Sequence, residues 1–294
     1  MEEYLTNAHH DNEMLPDLER SRNQWSFRNG IYTASDDRFW EYGRKYPNCP
    51  QCPFNTNSIS AKFFDLDFDP EWMRIAPSDI VIEPIETIFK TQKWSPEMVN
   101  WAYVMFGRLF YDVGTLDNWQ VAPFFLGMAG TGKSTLLEAL MHIYDPSAVG
   151  TLSNNMEEKF GLMSMYDKNV VFAPEVRNDF RLQQADYQCM VSGERMAIPR
   201  KNKEVKEIPR WTAPFCGAGN EAPSWGDAAG ALARRFLVFL FNEVVPRKQS
   251  RPNLRNEILK ELPKLIVKAN RYYKVAVYWF GEFNIWDVLP KEFL

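Results

Sequence analysis

The sequence has few cysteines and histidines, no long apolar run and little net charge. Its 294 residues include 4 cysteines and 3 histidines, and the formal net charge is −4. So few cysteines do not make a disulfide scaffold, and we expect an intracellular, reducing compartment. No apolar run reaches the ~20 residues that span a bilayer, and residues 1–4 are too acidic for a signal peptide, so we expect no membrane partner. The charge balance means that nucleic acid could be held only by a local basic element.

The sequence has enough hydrophobic residues to form a buried core. Hydrophobic residues make up 45% and aromatic residues 15% of the sequence, as in a soluble globular protein. A chain of this length forms one large domain or two smaller ones.

Four segments differ in their pattern. Residues 1–60 are polar and then broken by prolines, which predicts a loosely ordered region. Residues 61–120 carry the signals of a helical subdomain. Strand and helix signals alternate over residues 121–245, which predicts an α/β fold with a parallel sheet flanked by helices. Residues 246–294 predict a helical tail.

Two local signals set expected helix boundaries. Ser95-Pro96-Glu97 is an N-cap, a first-turn proline and an acid, which together predict a helix through Phe110. In the helical tail, Pro263 predicts a kink or a break.

The most informative stretch is a glycine-rich loop. Residues 121–126 predict a short buried strand before it, and residues 134–144 predict a helix after it. The loop fits G-x-x-x-x-G-K-[ST], the pattern of phosphate-binding loops, and in this context a chance glycine-rich turn is the weaker interpretation. Its residues are Gly127, Met128, Ala129, Gly130, Thr131, Gly132, Lys133, Ser134 and Thr135. We expect Lys133 to reach the β- and γ-phosphates of ATP and Ser134 to ligate Mg²⁺.

A second motif is an apolar strand that ends in an acid. Residues 168–175 end at Glu175, which follows Lys133 by forty-two residues. An acid there can polarise the attacking water or hold Mg²⁺ through a water. An apolar run that ends in Glu is weak by itself, and the spacing after Lys133 strengthens it.

A third motif is a basic turn. Within residues 191–209, two extended runs flank Lys201, Asn202 and Lys203, which predicts a β-hairpin with a basic tip in an acidic chain. The alternative is an ordinary solvated hairpin.

The last two motifs are an amide and a pair of arginines. Residues 212–223 predict a strand that ends at Asn220, whose amide can bind a γ-phosphate or orient water. Arg234 and Arg235 precede an apolar strand, and Arg can stabilise charge on a transferring phosphoryl group from a neighbouring subunit. A salt-bridged surface is the alternative for these arginines.

The motifs stand in the order of phosphate loop, Glu strand, basic hairpin, Asn strand and Arg, all within residues 127–235. This order resembles the superfamily 3 helicases of DNA viruses and mobile elements, which are hexameric AAA+ motors. The segments 193–203 and 220–223 look most like the poxvirus-type primase-helicases of nucleocytoplasmic large DNA viruses, as do 106–109 and 261–263. The resemblance covers roughly residues 80–294.

The resemblance implies a P-loop AAA+ type sheet and a role for each motif. Lys133 matches the nucleotide lysine, Glu175 the acid of the second motif, Asn220 the polar sensor and Arg235 the arginine finger, with Arg234 as the fallback. Ser134 matches the Mg²⁺ ligand, together with Glu175. The hairpin tip of Lys201, Asn202 and Lys203 falls where relatives contact DNA.

The implied function is an ATP-dependent DNA helicase that hydrolyses ATP to ADP and phosphate in viral or mobile-element replication. Its cofactors would be ATP and Mg²⁺, and its partners single-stranded DNA, five further copies in a homo-hexamer, and a primase on a separate chain or a missing domain. The compartment would be the host cytoplasm, a viral factory or the nucleus.

Two departures from the family keep other functions open. Many relatives carry two adjacent acids in the second motif, whereas Pro174 precedes a single Glu175 here, and residues 1–90 are too short for a primase domain. One alternative is an ATP-binding assembly or loader module that oligomerises without unwinding. Another is a small-molecule kinase, which would require an arginine-rich lid and a substrate pocket, instead of a hairpin, between Glu175 and Asn220.

Overall fold

The structure is a computed structural model. It describes residues 19–293 except 47–48, 50–51, 56–57, 154–160, 201–202, 224, 226–232, 247 and 249–250. Within these residues, no helix is both long and apolar enough to cross a membrane.

A small sheet forms near the N-terminus. Its strands, in spatial order, are β4 (Arg38–Glu41), β3 (Gly30–Thr33), β2 (Gln24–Phe27) and β6 (Lys62–Phe64), and beside it β1 (Glu19–Arg20) pairs with β5 (Ser58–Ile59). Over residues 19–46 this differs from the loosely ordered region expected for 1–60. The reason is burial: the side chains of Trp25, Phe27, Tyr32 and Trp40 are fully enclosed. In strands of four residues so few side chains point inward that the polar positions dominate the sequence pattern.

Two helices precede the main sheet, α1 (Glu83–Thr91) and α2 (Pro96–Arg108). The Ser95 side chain accepts a hydrogen bond from the N–H of Met98 and caps α2, as predicted. The helix ends at Arg108, two residues before the predicted end at Phe110.

Two helices follow the main sheet, α5 (Leu254–Lys260) and α6 (Leu262–Phe280). The predicted break is confirmed, because Pro263 lies in the first turn of α6. There its missing N–H removes no helical hydrogen bond.

The central sheet has five strands, all parallel. In spatial order they are β13 (Phe236–Phe241), β7 (Ala122–Gly127), β12 (Phe215–Gly219), β9 (Val170–Val176) and β8 (Val149–Thr151). Helices α3 (Lys133–Met141) and α4 (Gln184–Ser192) lie between its strands in sequence. The predicted α/β class with a parallel sheet and flanking helices is confirmed. In such sheets the carboxyl ends of the strands share one edge, where ligands bind.

The predicted hairpin is also present. Strands β10 (Met196–Arg200) and β11 (Lys203–Ile208) pair antiparallel, and Arg200 lies opposite Lys203. Lys201 and Asn202, which form its tip in sequence, lie outside the described residues.

A buried ion pair ties α2 to the segment that leads into the main sheet. Arg108 and Asp117 are 6% and 4% exposed. Two guanidinium nitrogens of Arg108 donate to the Asp117 carboxylate at 2.7 and 2.9 Å, and the Tyr273 hydroxyl from α6 donates to it at 2.6 Å. This contact joins the helical layer to the start of β7.

Candidate functional site

A cleft of about 590 Å³ opens at the carboxyl edge of the central sheet. The glycine-rich loop after β7 contributes residues 129–135, the end of β9 residues 174–177 and the end of β12 residues 219–221. The volume lies within the range of small-molecule sites. Three segments that are far apart in sequence therefore meet here because the strands are parallel.

The loop takes its shape from glycines with positive φ. Gly130 has φ of 77° and Gly132 has φ of 96°, values that only glycine adopts without strain. Gly132 immediately precedes α3, so the chain turns from the loop directly into the first turn of that helix.

The loop carbonyls are held by the protein. Lys133 Nζ donates to the carbonyls of Gly127 and Met128 at 2.5 and 2.6 Å. The Gly130 carbonyl accepts from the N–H of Val245 at 3.0 Å, and the Thr131 carbonyl accepts from the side chain of Gln92 at 2.9 Å.

The loop N–H groups are, by contrast, available. Among the described residues, none of the N–H groups of 128–132 donates to a backbone carbonyl or a side chain. The first N–H groups of α3 have no partner within the helix, and they carry its positive dipole. An array of N–H groups at a helix start is suited to an anion.

Lys133 lies at the centre of the cleft. It is 6% exposed, and burial lowers the pKa of its ammonium group. Its Nζ also lies 3.3 Å from Oδ1 of Asn220, which follows β12. The structure thus brings together two residues that the sequence predicted for one site.

Oxygen groups line the other walls. Ser134, the second residue of α3, is exposed to the cleft. Glu175, next to last in β9, is 80% exposed and lies 3.8 Å from the Arg177 guanidinium. No group of three or more His, Cys, Asp or Glu side chains in the described part of the chain is placed to hold a metal ion without other ligands.

Two charged residues of the cleft were not predicted as site residues from the sequence. Arg177 and Glu221 both line it. The only sequence signal was position, because Arg177 follows Glu175 by two residues and Glu221 directly follows Asn220.

Arg234 and Arg235 do not join this cleft. They precede β13, where Phe236 lies opposite Ala122 at the start of β7 and Phe241 lies opposite Gly127 at its end. About 17 Å of strand therefore separates them from the glycine-rich loop, at about 3.3 Å a residue. Both arginines line a second cleft of about 310 Å³ at the opposite edge of the sheet, where Arg235 is 8% exposed.

The predicted DNA-contacting residues lie away from both clefts in sequence, on the hairpin. Of these, Lys203 opens β11, while Lys201 and Asn202 are outside the described residues. Lower on the hairpin, Lys206 donates to the Tyr166 hydroxyl at 2.7 Å and Arg195 pairs with Glu207 at 2.8 Å.

The fold and the site define an α/β protein with a cleft beside a glycine-rich loop, at the carboxyl edge of a five-stranded parallel sheet. The model of a family of unknown function (DUF5906) matches residues 125–235, which is less than half of the chain. That match includes the loop, Glu175 and Asn220.

A solved structure shows a related fold. The A form apo structure of the NrS-1 C-terminal region is 17% identical with a TM-score of 0.53, and the match covers 89% of this chain and 68% of that one. An apo structure of NrS-1 residues 305–718 is 16% identical with a TM-score of 0.47, covering 87% and 71%. No curated protein matches. At this identity the likeness is one of fold.

Proposed function

We propose that this chain is the motor module of an ATP-dependent DNA helicase of the hexameric superfamily 3 type, acting in viral or mobile-element replication. The observation that carries the proposal is the meeting of Lys133, Glu175 and Asn220 at one cleft, beside a loop whose N–H groups are available. A cation, an acid and an amide around an anion cradle are the parts that phosphoryl transfer requires.

In this proposal the cleft holds a triphosphate with its Mg²⁺. The N–H groups of the loop and of α3 would hold phosphate oxygens, and the Lys133 ammonium would exchange its two carbonyl partners for the β- and γ-phosphates. The Ser134 hydroxyl and the Glu175 carboxylate are hard oxygen ligands of the kind that Mg²⁺ prefers. Bound ATP would supply the phosphoanhydride whose cleavage drives movement.

The remaining side chains suit hydrolysis. Glu175 is exposed to the cleft, so its carboxylate can orient a water and accept its proton. Asn220 can hold the same water or a terminal phosphate through its amide. Many relatives carry two adjacent acids in the second motif, and Pro174 precedes a single acid here. Glu221, which also lines the cleft, would supply the second carboxylate.

The proposal includes an assembly in which copies share their sites, and the position of the arginines supports it. Arg235 is too far from Lys133 to serve the same cleft, so in this proposal it acts on the phosphate held by a neighbouring copy. Phe283, which lines the arginine cleft, is 59% exposed, and Tyr278 and Trp279 at the end of α6 are 80% and 62% exposed. Exposed large apolar side chains of this kind are suited to an interface, and a head-to-tail contact between copies forms a ring when its rotation closes.

The β10–β11 hairpin is the proposed contact with single-stranded DNA. Its basic tip, with Lys201 and Lys203, would follow the phosphate backbone from each copy. Each subunit would contribute one short basic element, so a chain with a negative net charge can still bind DNA.

Two alternatives differ from this proposal in measurable ways. An assembly or loader module would bind ATP and oligomerise without unwinding, and the single acid of the second motif favours it. A small-molecule kinase would need a lid over the cleft, whereas the elements that the described residues form between Glu175 and Asn220 are α4, the hairpin and β12.

The deciding experiment is ATP hydrolysis with and without single-stranded DNA, with the mass of the assembly measured by light scattering. DNA-stimulated turnover by a ring supports the motor. ATP binding and assembly without stimulated turnover would favour the loader. A monomer whose ATP turnover does not change with DNA would contradict both.

A further inference from the structure

Gln92 reaches the glycine-rich loop from a distant element. It directly follows α1 and is 7% exposed. Its side-chain nitrogen donates to the Thr131 carbonyl at 2.9 Å and to the Glu243 carbonyl at 2.8 Å, and its side-chain oxygen accepts from the N–H of Glu243 at 3.0 Å. One amide thus joins α1, the loop and the segment after β13.

Only one orientation of this amide satisfies all three contacts. Turned over, its oxygen would face two carbonyl oxygens and its NH₂ group would face an N–H. The backbone around Gln92 is fixed as well, because its N–H bonds to the Ile88 carbonyl and Lys93 turns the chain with φ of 56°.

The consequence for the loop follows from the planar peptide bond. The Thr131 carbonyl and the Gly132 N–H belong to one trans peptide, so they point in opposite directions. Because Gln92 holds the carbonyl inward, the N–H of Gly132 is turned toward the cleft. A glycine peptide can otherwise rotate at little cost, so the loop sequence alone does not fix this direction.

We infer that Gln92 is a positioning residue, which aims the Gly132 N–H at a phosphate oxygen of the nucleotide. This inference rests on the proposed function for the identity of the ligand. The Val245 N–H does the same for the neighbouring peptide by holding the Gly130 carbonyl at 3.0 Å. Both partners lie outside the loop motif, so the anion cradle is completed by α1 and by the segment that follows β13.

The test uses the full chain with two changes at this position and one matched control. Gln92→Glu keeps the shape but sets a carboxylate oxygen against two carbonyls, and Gln92→Ala removes all three bonds. The control is Trp94→Phe, which removes a 2.9 Å hydrogen bond from the same segment to the Leu240 carbonyl of β13 and leaves the loop contacts in place.

The first readout needs no nucleotide. In protein labelled with ¹⁵N at glycine, the Gly132 amide resonance should shift in both Gln92 variants and stay in place in Trp94→Phe. An unmoved Gly132 resonance in the Gln92 variants would overturn the inference, whether or not the chain binds ATP.

The second readout is ATP affinity, measured by titration and by turnover. We expect the Kd and the KM for ATP to rise roughly tenfold in Gln92→Glu, with a smaller change in kcat, because bound phosphates reorder the loop. A merely structural role would lower kcat and the melting temperature and leave the KM unchanged. A shifted resonance in a chain whose wild type binds no ATP would support the hold of Gln92 on the Gly132 peptide, and it would overturn both the nucleotide as the target of that N–H and the proposed function.

Discussion

The ammonium group of Lys133 lies 3.3 Å from the side-chain oxygen of Asn220, a residue 87 positions later in the chain. Strands β7 and β12 are hydrogen-bonded neighbours, so the residues that follow them meet at one edge of the sheet. The contact links the glycine-rich loop to the wall of the cleft that follows β12.

The first prediction concerns the charge at the centre of this cleft. Lys133→Ala removes the cation that would hold the β- and γ-phosphates, so ATP hydrolysis should fall to background while circular dichroism and melting temperature stay near wild type. Lys274→Ala is the control, since that lysine donates to the Ser35 carbonyl and does not line the cleft. Normal turnover in purified Lys133→Ala protein would rule out the phosphate-loop assignment.

The second prediction separates the two acids of the cleft. Glu175→Gln should keep ATP binding and lose hydrolysis by about 10²-fold or more, because the general base is gone. Glu221→Gln should lose less turnover but need more Mg²⁺ to reach it. Titration of ATP and of Mg²⁺ with each variant measures both effects. If Glu175→Gln loses binding as well, its role is structural.

The sequence predicted the parts of the cleft whose structure is local. The strand, loop and helix around Lys133 show in consecutive residues, since apolar runs and glycines fix the backbone there. Strand order is not local, yet alternating strands and helices imply parallel pairing, and this placed Glu175 and Asn220 at one edge.

The parts that were missed depend on distant contacts. The N-terminal sheet is held by long-range packing: Trp25 donates its indole N–H to the Ile143 carbonyl at 2.9 Å, 118 residues away. Gln92 acts on a loop 39 residues downstream. Neither residue carries a local pattern that indicates its partner.

A third prediction concerns stability. Asp117→Ala leaves the buried Arg108 guanidinium without its carboxylate, which should cost about 3–5 kcal/mol of unfolding free energy. Tyr273→Phe removes one hydrogen bond to the same carboxylate and should cost about 1–2 kcal/mol. Urea unfolding measures both. Asp65→Ala, at an exposed pair with Arg28, is the control and should change the midpoint little. Equal midpoints for Asp117→Ala and wild type would contradict a structural role for the pair.

A fourth prediction tests the hairpin. Changing Lys201 and Lys203 to Ala should weaken single-stranded DNA binding equally for every sequence, because phosphate contacts carry no base information. The salt dependence should flatten by roughly 0.7 in log–log slope for each lost contact. ATP turnover without DNA should persist, and its stimulation by DNA should fall.

The matched control for the hairpin is Lys206→Ala. Its ammonium lies over the Tyr166 ring at 3.9 Å and donates to the hydroxyl, so the side chain is engaged within the protein. DNA binding should therefore change less in this variant. An unchanged salt slope in the double variant would reduce the tip to a solvated turn and favour the loader.

The last prediction tests whether sites are shared between copies. Arg235 lies at the amino end of β13 and the glycine-rich loop at the carboxyl end of the neighbouring β7, so a single chain cannot bring them together. Arg235→Ala and Lys133→Ala should each abolish ATP hydrolysis. Mixed together, they should recover part of it, because some interfaces then combine an intact lysine with an intact arginine.

The fraction recovered is set by how the subunits are distributed. With random mixing at equal amounts, about one interface in four is intact, so turnover should rise toward a quarter of wild type and fall away at unequal ratios. Pre-formed rings that do not exchange subunits should show no recovery, which makes mixing before assembly the informative order. If mixed rings form, as shown by native mass spectrometry, and turnover stays at background, then Arg235 acts outside its neighbour's cleft.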